Sequence, residues 1–224
     1  MKKYEFTGET KVVSGHTLHR IRAVSHVGRY IVPGEVGGWI ESERNLSDKG
    51  CAWVYQEACV YDRALILDDA IVSHGAIVCG DASIFGRAMV GDYARVYGSA
   101  KVFDCAKIYG RSVVCGDAKV CGSARICDRS IVRAFAVVKG SAEIAGNAII
   151  ESHKDYMTFN NVWSSGRSFT FTRSNQKWKV GCFYGDGIEL IAKAAKDSPL
   201  SRKCYAKIVI ATESIYKFVD GMED

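Results

Sequence analysis

The chain has 224 residues, 48% of them hydrophobic, with 30 Lys and Arg against 25 Asp and Glu and a formal charge of +5. That suits one large folded domain, or about one and a half of average size, and two prolines with no long polar or charged tract leave little room for a disordered tail or linker. No apolar run reaches the ~18 residues of a membrane span, and Met1 to Phe6 do not lead into a signal-peptide stretch. The expectation is therefore a cytoplasmic protein with no membrane contact, whose nine cysteines, an odd number, are free thiols rather than a disulfide framework.

Residues 1–50 predict an N-terminal β cap. Lys11-Val12-Val13 and Leu18 to Val24 alternate in polarity, Val32-Pro33-Gly34 and Gly37-Gly38 are turn signals, and Asn45 to Gly50 reads as a turn into a repetitive segment. Over residues 51–152 a period of six takes over. Stepping by six from Ala52 to Ala148 meets Ala or Ser at every position, and stepping from Val54 to Ile150 meets Val or Ile at all seventeen. A period of six is not that of a helix, and β-branched residues favour strands. Two residues after each Val or Ile the recurrent residues are Gly and Asp, such as Gly80, Gly98, Asp62 and Asp104, which are turn formers at a turn position. Three such sides make a triangular coil of about 18 residues, and strand spacing gives nearly six coils rising on the order of 27 Å in all.

Residues 153–224 predict a C-terminal β-hairpin plus helices. Ser168 to Thr172 and Lys177 to Val180 form the hairpin, closed by Gly181 to Gly185. Ile188 to Lys196 and Ser201 to Val219 have helical spacing, with Asp197-Ser198-Pro199 as the break. The face Ile208, Ala211, Ile215 and Phe218 is expected to pack on the hairpin.

An aliphatic residue followed four positions later by a small one, as in Val54 to Ala58, Val96 to Ala100 and Ile126 to Ser130, resembles the hexapeptide-repeat, left-handed parallel β-helix family over residues 46 to 152. The left hand comes from that resemblance, since parallel crossovers in general favour the right. The position after the aliphatic residue is often small in the family but here is frequently Tyr, Phe or Cys, which must point outward. The layout as a whole, with Leu18 to Ala23, then Gly37-Gly38-Trp39-Ile40-Glu41, the hexads and the Gly181-Cys182-Phe183-Tyr184-Gly185 tail, is similar to proteins of bacteriophages and prophages. That resemblance implies a host-directed role.

The family's best-known activity, acyl transfer from coenzyme A or acyl carrier protein, implies a histidine as general base in a cleft between subunits. Here the hexads carry no excursion and one histidine, His74, at a corner position, while His153 lies just past the last hexad; these are the alternative catalytic residues, with coenzyme A as the alternative cofactor. The family's zinc-binding relatives use three histidines, which one histidine in seventeen hexads cannot supply, so no metal is expected. Cys115, Cys121 and Cys127 fall on three different faces and cannot share an ion. Sorting outward residues at period 18 gives an apolar column on one face, and Tyr61, Ile77, Cys79, Tyr97, Val113 and Ile131 are the expected self-association surface; the family implies a homotrimer. Arg95 with Tyr97, Lys101 with Phe103 and Lys107 with Tyr109 repeat a cation–aromatic pair around one coil, and with Lys119 and Arg125 they are the candidate binding residues for a phosphate-bearing ligand with a stacking base. Nucleic acid fits less well than a small nucleotide, because the charge is modest and no face is uniformly basic. The function expected is a non-enzymatic trimeric binding protein, phage-encoded, that inhibits or sequesters a host protein or nucleotide signal. The alternatives are an acyltransferase using an acyl-CoA donor and a structural or assembly protein.

Overall fold

The computed structural model describes residues 2–163 and 166–223; Met1, Ser164, Ser165 and Asp224, which belong to the expected cap and C-terminal domain, lie outside them. The architecture is mainly β: a parallel β-solenoid of about six turns, a C-terminal antiparallel sheet and two helices.

Strands β1 (Tyr4–Val13), β2 (His16–Ala23) and β3 (Val36–Ile40) form the antiparallel cap. Seventeen two-residue strands follow at six-residue intervals, from β4 (Trp53–Val54) to β20 (Ile149–Ile150). Each pairs in parallel with the strand eighteen residues away, so Arg95 lies between Ile77 and Val113, Lys101 between Ser83 and Lys119, and Lys107 between Met89 and Arg125. The coil therefore has three faces. The first runs from Cys59 to Ile149, the second from Leu65 to Val137, the third from Trp53 to Glu143.

The six-residue repeat fixes the interior. Every Ala or Ser from Ala52 to Ala148 and every Val or Ile from Val54 to Ile150 is buried, including Ser112 and Ser130, whose hydroxyls donate to the carbonyls of Tyr109 and Cys127 at 2.8 and 2.6 Å. Every corner turns through a residue with positive φ, and the conformation chooses between Gly and Asp for different reasons. At Gly80, Gly98 and Gly110 an added Cβ would come within 2.7–3.0 Å of backbone in the next coil. Where Asp stands instead, as at Asp62, Asp68, Asp92, Asp104 and Asp128, its carboxylate accepts the backbone N–H of the glycine one coil on, at 2.8–2.9 Å. That N–H would otherwise be unpaired within the coil, so the Asp–Gly alternation is a hydrogen-bond ladder along the corners.

The cap is more intimate than a sheet laid on the end. Strand β3 pairs in parallel with β5 (Cys59–Val60), so the cap hairpin extends the first face into a single nine-stranded sheet. Gly37 and Gly38 are part of β3, where the turn signal is overridden by tertiary contact. A Cβ on Gly37 would meet Ile21 and the Val54 carbonyl at 2.7 and 2.8 Å, and one on Gly38 would meet Val54 and the Ala58 carbonyl at 2.6 and 2.8 Å. Only glycine lets the strand lie across the open core. Likewise Leu46, whose neighbours have turn chemistry, bridges to Ile66 and is buried as the first plug of the axis. The outward Trp53 of the first coil is fully covered, with the Tyr4 ring edge-on at 6.4 Å.

At the other end the hairpin is the centre of a four-stranded sheet, β21 (Tyr156–Asn160), β22 (Ser168–Thr172), β23 (Lys177–Val180) and β24 (Phe183–Gly185). Of its outer strands, β24 follows a tight turn through Gly181 (φ +55°). Helices α1 (Gly187–Asp197) and α2 (Pro199–Glu223) pack against it, α1 capped by Asp186, whose side chain accepts the Glu189 N–H. Here the expectation from sequence holds at Ile208, which packs half-buried against the sheet's aromatic cluster, and fails at the rest of the face. Tyr205, Val209, Thr212 and Tyr216 are buried against Phe169, Phe171 and Trp178, whereas Ile215 and Phe218 are 46% and 69% exposed. Two apolar stripes run along α2, and the aromatic sheet selected the one that carries the two tyrosines. Thr170 Oγ1 accepts the Glu143 N–H at 3.0 Å and Ser174 Oγ the Ile149 N–H at 2.8 Å, which caps the last coil with side chains of this sheet.

Candidate functional site

The candidate binding residues divide by face. Arg95 and Tyr97 lie on the first, Lys101, Phe103 and Lys119 on the second, and Lys107, Tyr109 and Arg125 on the third. A step of six residues turns the chain by one prism face, so the eight do not converge. On the second face Phe85 and Phe103 stack in parallel at 4.9 Å beside the adjacent Lys101 and Lys119.

What the structure brings together is a different group at the edge between the third and first faces. Tyr93, Arg95, Arg111 and Val113 line an open concavity of about 450 Å³. Arg95 projects from a strand of the first face, while Tyr93 and Arg111 come directly after the corner residues Asp92 and Gly110 in successive coils. Among the described residues neither guanidinium makes an ion pair, and Tyr93 is 67% exposed. Two permanent cations and an exposed ring, which lies over Gly75 of the preceding coil, suit an anion carrying a planar group. Sequence reasoning found Arg95 and missed Tyr93 and Arg111. Sorting the corner residues at period 18, which gives Glu57, Gly75, Tyr93, Arg111 and Arg129, would have found them.

The residues of the expected self-association column lie on the first face and, apart from Tyr61, reach the surface. Ile77, Cys79, Val113 and Ile131 are partly exposed, and Tyr97 and Ile149 are 41% and 36% exposed. Tyr61 does not belong to that surface: it is 7% exposed, covered by the cap with Leu18 and Trp39 and with the His16 ring 4.8 Å away. The cap hairpin takes over the first coil of the column.

His74 is an exposed corner residue with φ +60°. Its N–H donates to Gln56 Oε1 at 2.9 Å and its Nδ1 lies 3.0 Å from Ser73 Oγ, so it takes part in the corner ladder. His153 starts a single 3-10 turn after the last coil, beside a groove of about 210 Å³ that Lys154, Tyr156, Met157 and Ile215 also line. All nine cysteines are free. Burial pushes the thiols of Cys59, Cys79 and Cys121 up, and that of Cys127 up to about 11, so these four stay protonated and are poor nucleophiles.

His16, Glu41 and Asp62 form the one group of potential metal ligands among the described residues. Nδ1 of His16 faces Glu41 at 3.0 Å and Nε2 faces Asp62 at 3.3 Å. The two carboxylates thus sit on opposite nitrogens of one ring, the geometry of an imidazolium held between two anions rather than of three ligands turned to one ion. The hydrogen bond to Glu41 raises the His16 pKa, and the same bond lowers that of Glu41, whose other oxygen accepts the Asp62 N–H at 2.6 Å. This clasp ties cap to coil.

No protein-family model matches the chain, and no curated protein matches its sequence. No helix is long and apolar enough to cross a membrane.

Proposed function

We propose that this chain is a binding protein, not an enzyme, built on a left-handed hexapeptide-repeat β-helix that assembles as a homotrimer through its first face. It holds an anionic partner, either a nucleotide or an acidic patch of a host protein, and the similarity of its layout to phage proteins gives that partner a host origin and the protein a cytoplasmic setting. The observation that carries the reading is the hollow formed by Tyr93, Arg95, Arg111 and Val113, with two unpaired guanidiniums and an exposed ring at the margin of an apolar face. In a trimer with parallel axes that margin becomes a cleft between subunits, where a ligand gains contacts from two chains.

The test is native mass spectrometry of the protein purified from a bacterial host, followed by analysis of released molecules. A trimer carrying a nucleotide or an acidic host protein, lost in Arg95→Glu/Arg111→Glu with the trimer kept, supports the reading. A bare trimer that instead takes up added coenzyme A overturns it in favour of acyl transfer with His74 or His153 as base. End-to-end association without a ligand overturns it in favour of an assembly protein.

A further inference from the structure

The apolar stripe of α2 that the sheet leaves uncovered has a regular spacing. Cys204, Ile208, Ala211, Ile215, Phe218 and Met222 succeed one another at steps of four, three, four, three and four, the alternation that keeps one seam of a helix facing a second helix over almost three heptads. The sheet occupies the neighbouring stripe of Tyr205, Val209, Thr212 and Tyr216. Helix α1 lies on the far side, where a Cβ on Gly187 would meet Val209 and Glu213. The seam is open along its second half: Cys204 is half-buried and Ile208 packs at the edge of the aromatic cluster, but Ile215, beside the groove with Met157, and Phe218 and Met222 are 46%, 69% and 72% exposed.

Charge identifies the occupant. Arg202, Lys203 and Lys207 load the first turns of α2 with positive charge, and Glu213, Asp220 and Glu223 lie in its second half with Lys217 the one cation there, Asp220 being paired with Arg173. This is the reverse of what the dipole of an isolated helix favours, since the amino end already carries partial positive charge. A second α2 running antiparallel corrects it, placing a carboxyl-terminal dipole beside each basic end. We propose that α2 is a self-pairing element in which two copies of this chain pack their α2 helices antiparallel about a two-fold axis near Glu213. With that axis the seam registers without slippage: Cys204 meets the partner's Met222, Ile208 the partner's Phe218, and Ala211 the partner's Ile215. The smallest seam residue faces a β-branched one in the central layers and the largest ring faces Ile208, so the layers alternate in bulk as an antiparallel pair requires. The contact is isologous and closes on itself. It goes beyond the proposed ligand hollow and does not depend on it, and it doubles whatever assembly the solenoid faces make.

The full chain tests this by light scattering and by disulfide mapping. Phe218→Asp is expected to halve the molar mass of the wild-type assembly with its circular dichroism unchanged, whereas Ile210→Asp, an equally exposed position off the seam, leaves the mass alone. In Met222→Cys, mild oxidation is expected to link Cys204 of one chain to residue 222 of the other. A wild-type mass that Phe218→Asp does not change, whatever else the helix binds, overturns self-pairing. A link between two residues 222 overturns the antiparallel orientation.

Discussion

The solenoid and the C-terminal domain solve the same problem, covering apolar surface, by opposite means. In the prism each inward residue is fixed by a neighbour eighteen residues away on the same face, so one coil's solution is repeated and a local sequence pattern is also a tertiary one. In the C-terminal domain the aromatic cluster of Phe169, Phe171, Trp178, Tyr205 and Tyr216 joins strands to a helix up to 47 residues distant, and no repeat dictates which face of α2 it takes. A periodic core reads directly from sequence, while a core assembled once must choose among faces of similar polarity.

The two regions are expected to unfold as separate cooperative units. Val96→Asp puts a charge on the axis, where no partner exists, and is expected to abolish soluble folded protein, with the loss seen as inclusion bodies and absent β circular dichroism. Trp178→Ala should cost about 3–5 kcal/mol but confine the damage to residues 156–223, leaving amide protection in the coils intact; protection lost equally in both would show a single unit. Gly110→Ala forces a Cβ to within 2.7 Å of the Asp128 backbone nitrogen and is expected to lower stability by roughly 1–3 kcal/mol in denaturant titration, whereas Asp104→Ala, which frees the Gly122 N–H at a solvated corner, should cost about 1 kcal/mol. Equal losses at the two sites would remove the distinction between steric and hydrogen-bonding corners.

The smallest effect is electrostatic. The folded-state pKa of His16 is raised, so its stabilising contribution is fully present below the unfolded value of about 6.5 and is lost as pH rises through the folded one. The folded-state pKa of Glu41 is lowered, so its contribution is present above the unfolded carboxylate value and fades as pH falls through the folded one. The clasp should therefore be strongest between those limits, and the Tm gap between wild type and His16→Gln should shrink on going from pH 6 to pH 9. A gap that widens over that range contradicts the imidazolium reading and reopens the site to a metal.

Much of the fold is legible in the sequence. The inward Ala and Val or Ile positions, the Gly and Asp corners, the three outward columns and the two helices follow from period and turn chemistry, because each is decided within a few residues or by a repeat that copies itself. The candidate site is only partly legible. Arg95 comes from a strand column, but Tyr93 and Arg111 are corner residues whose side chains meet only once adjacent coils stack. Tyr61 is misplaced by sequence reasoning because the hairpin that covers it belongs to a region with no periodicity to predict its landing point. Glycines 37 and 38 look like turn formers, since sequence shows their conformational freedom but not the backbone they must approach.

The prism follows from the six-residue period alone, which leaves one way to bury every β-branched residue at once. Tertiary packing chose which stripe of α2 is core and which is free, since both have helical spacing and the choice rests on fit against the rings of Phe169, Phe171 and Trp178. It also decided that two arginines and a tyrosine from successive coils share one hollow, because proximity across stacked coils is set by the rise of the solenoid and not by order along the chain.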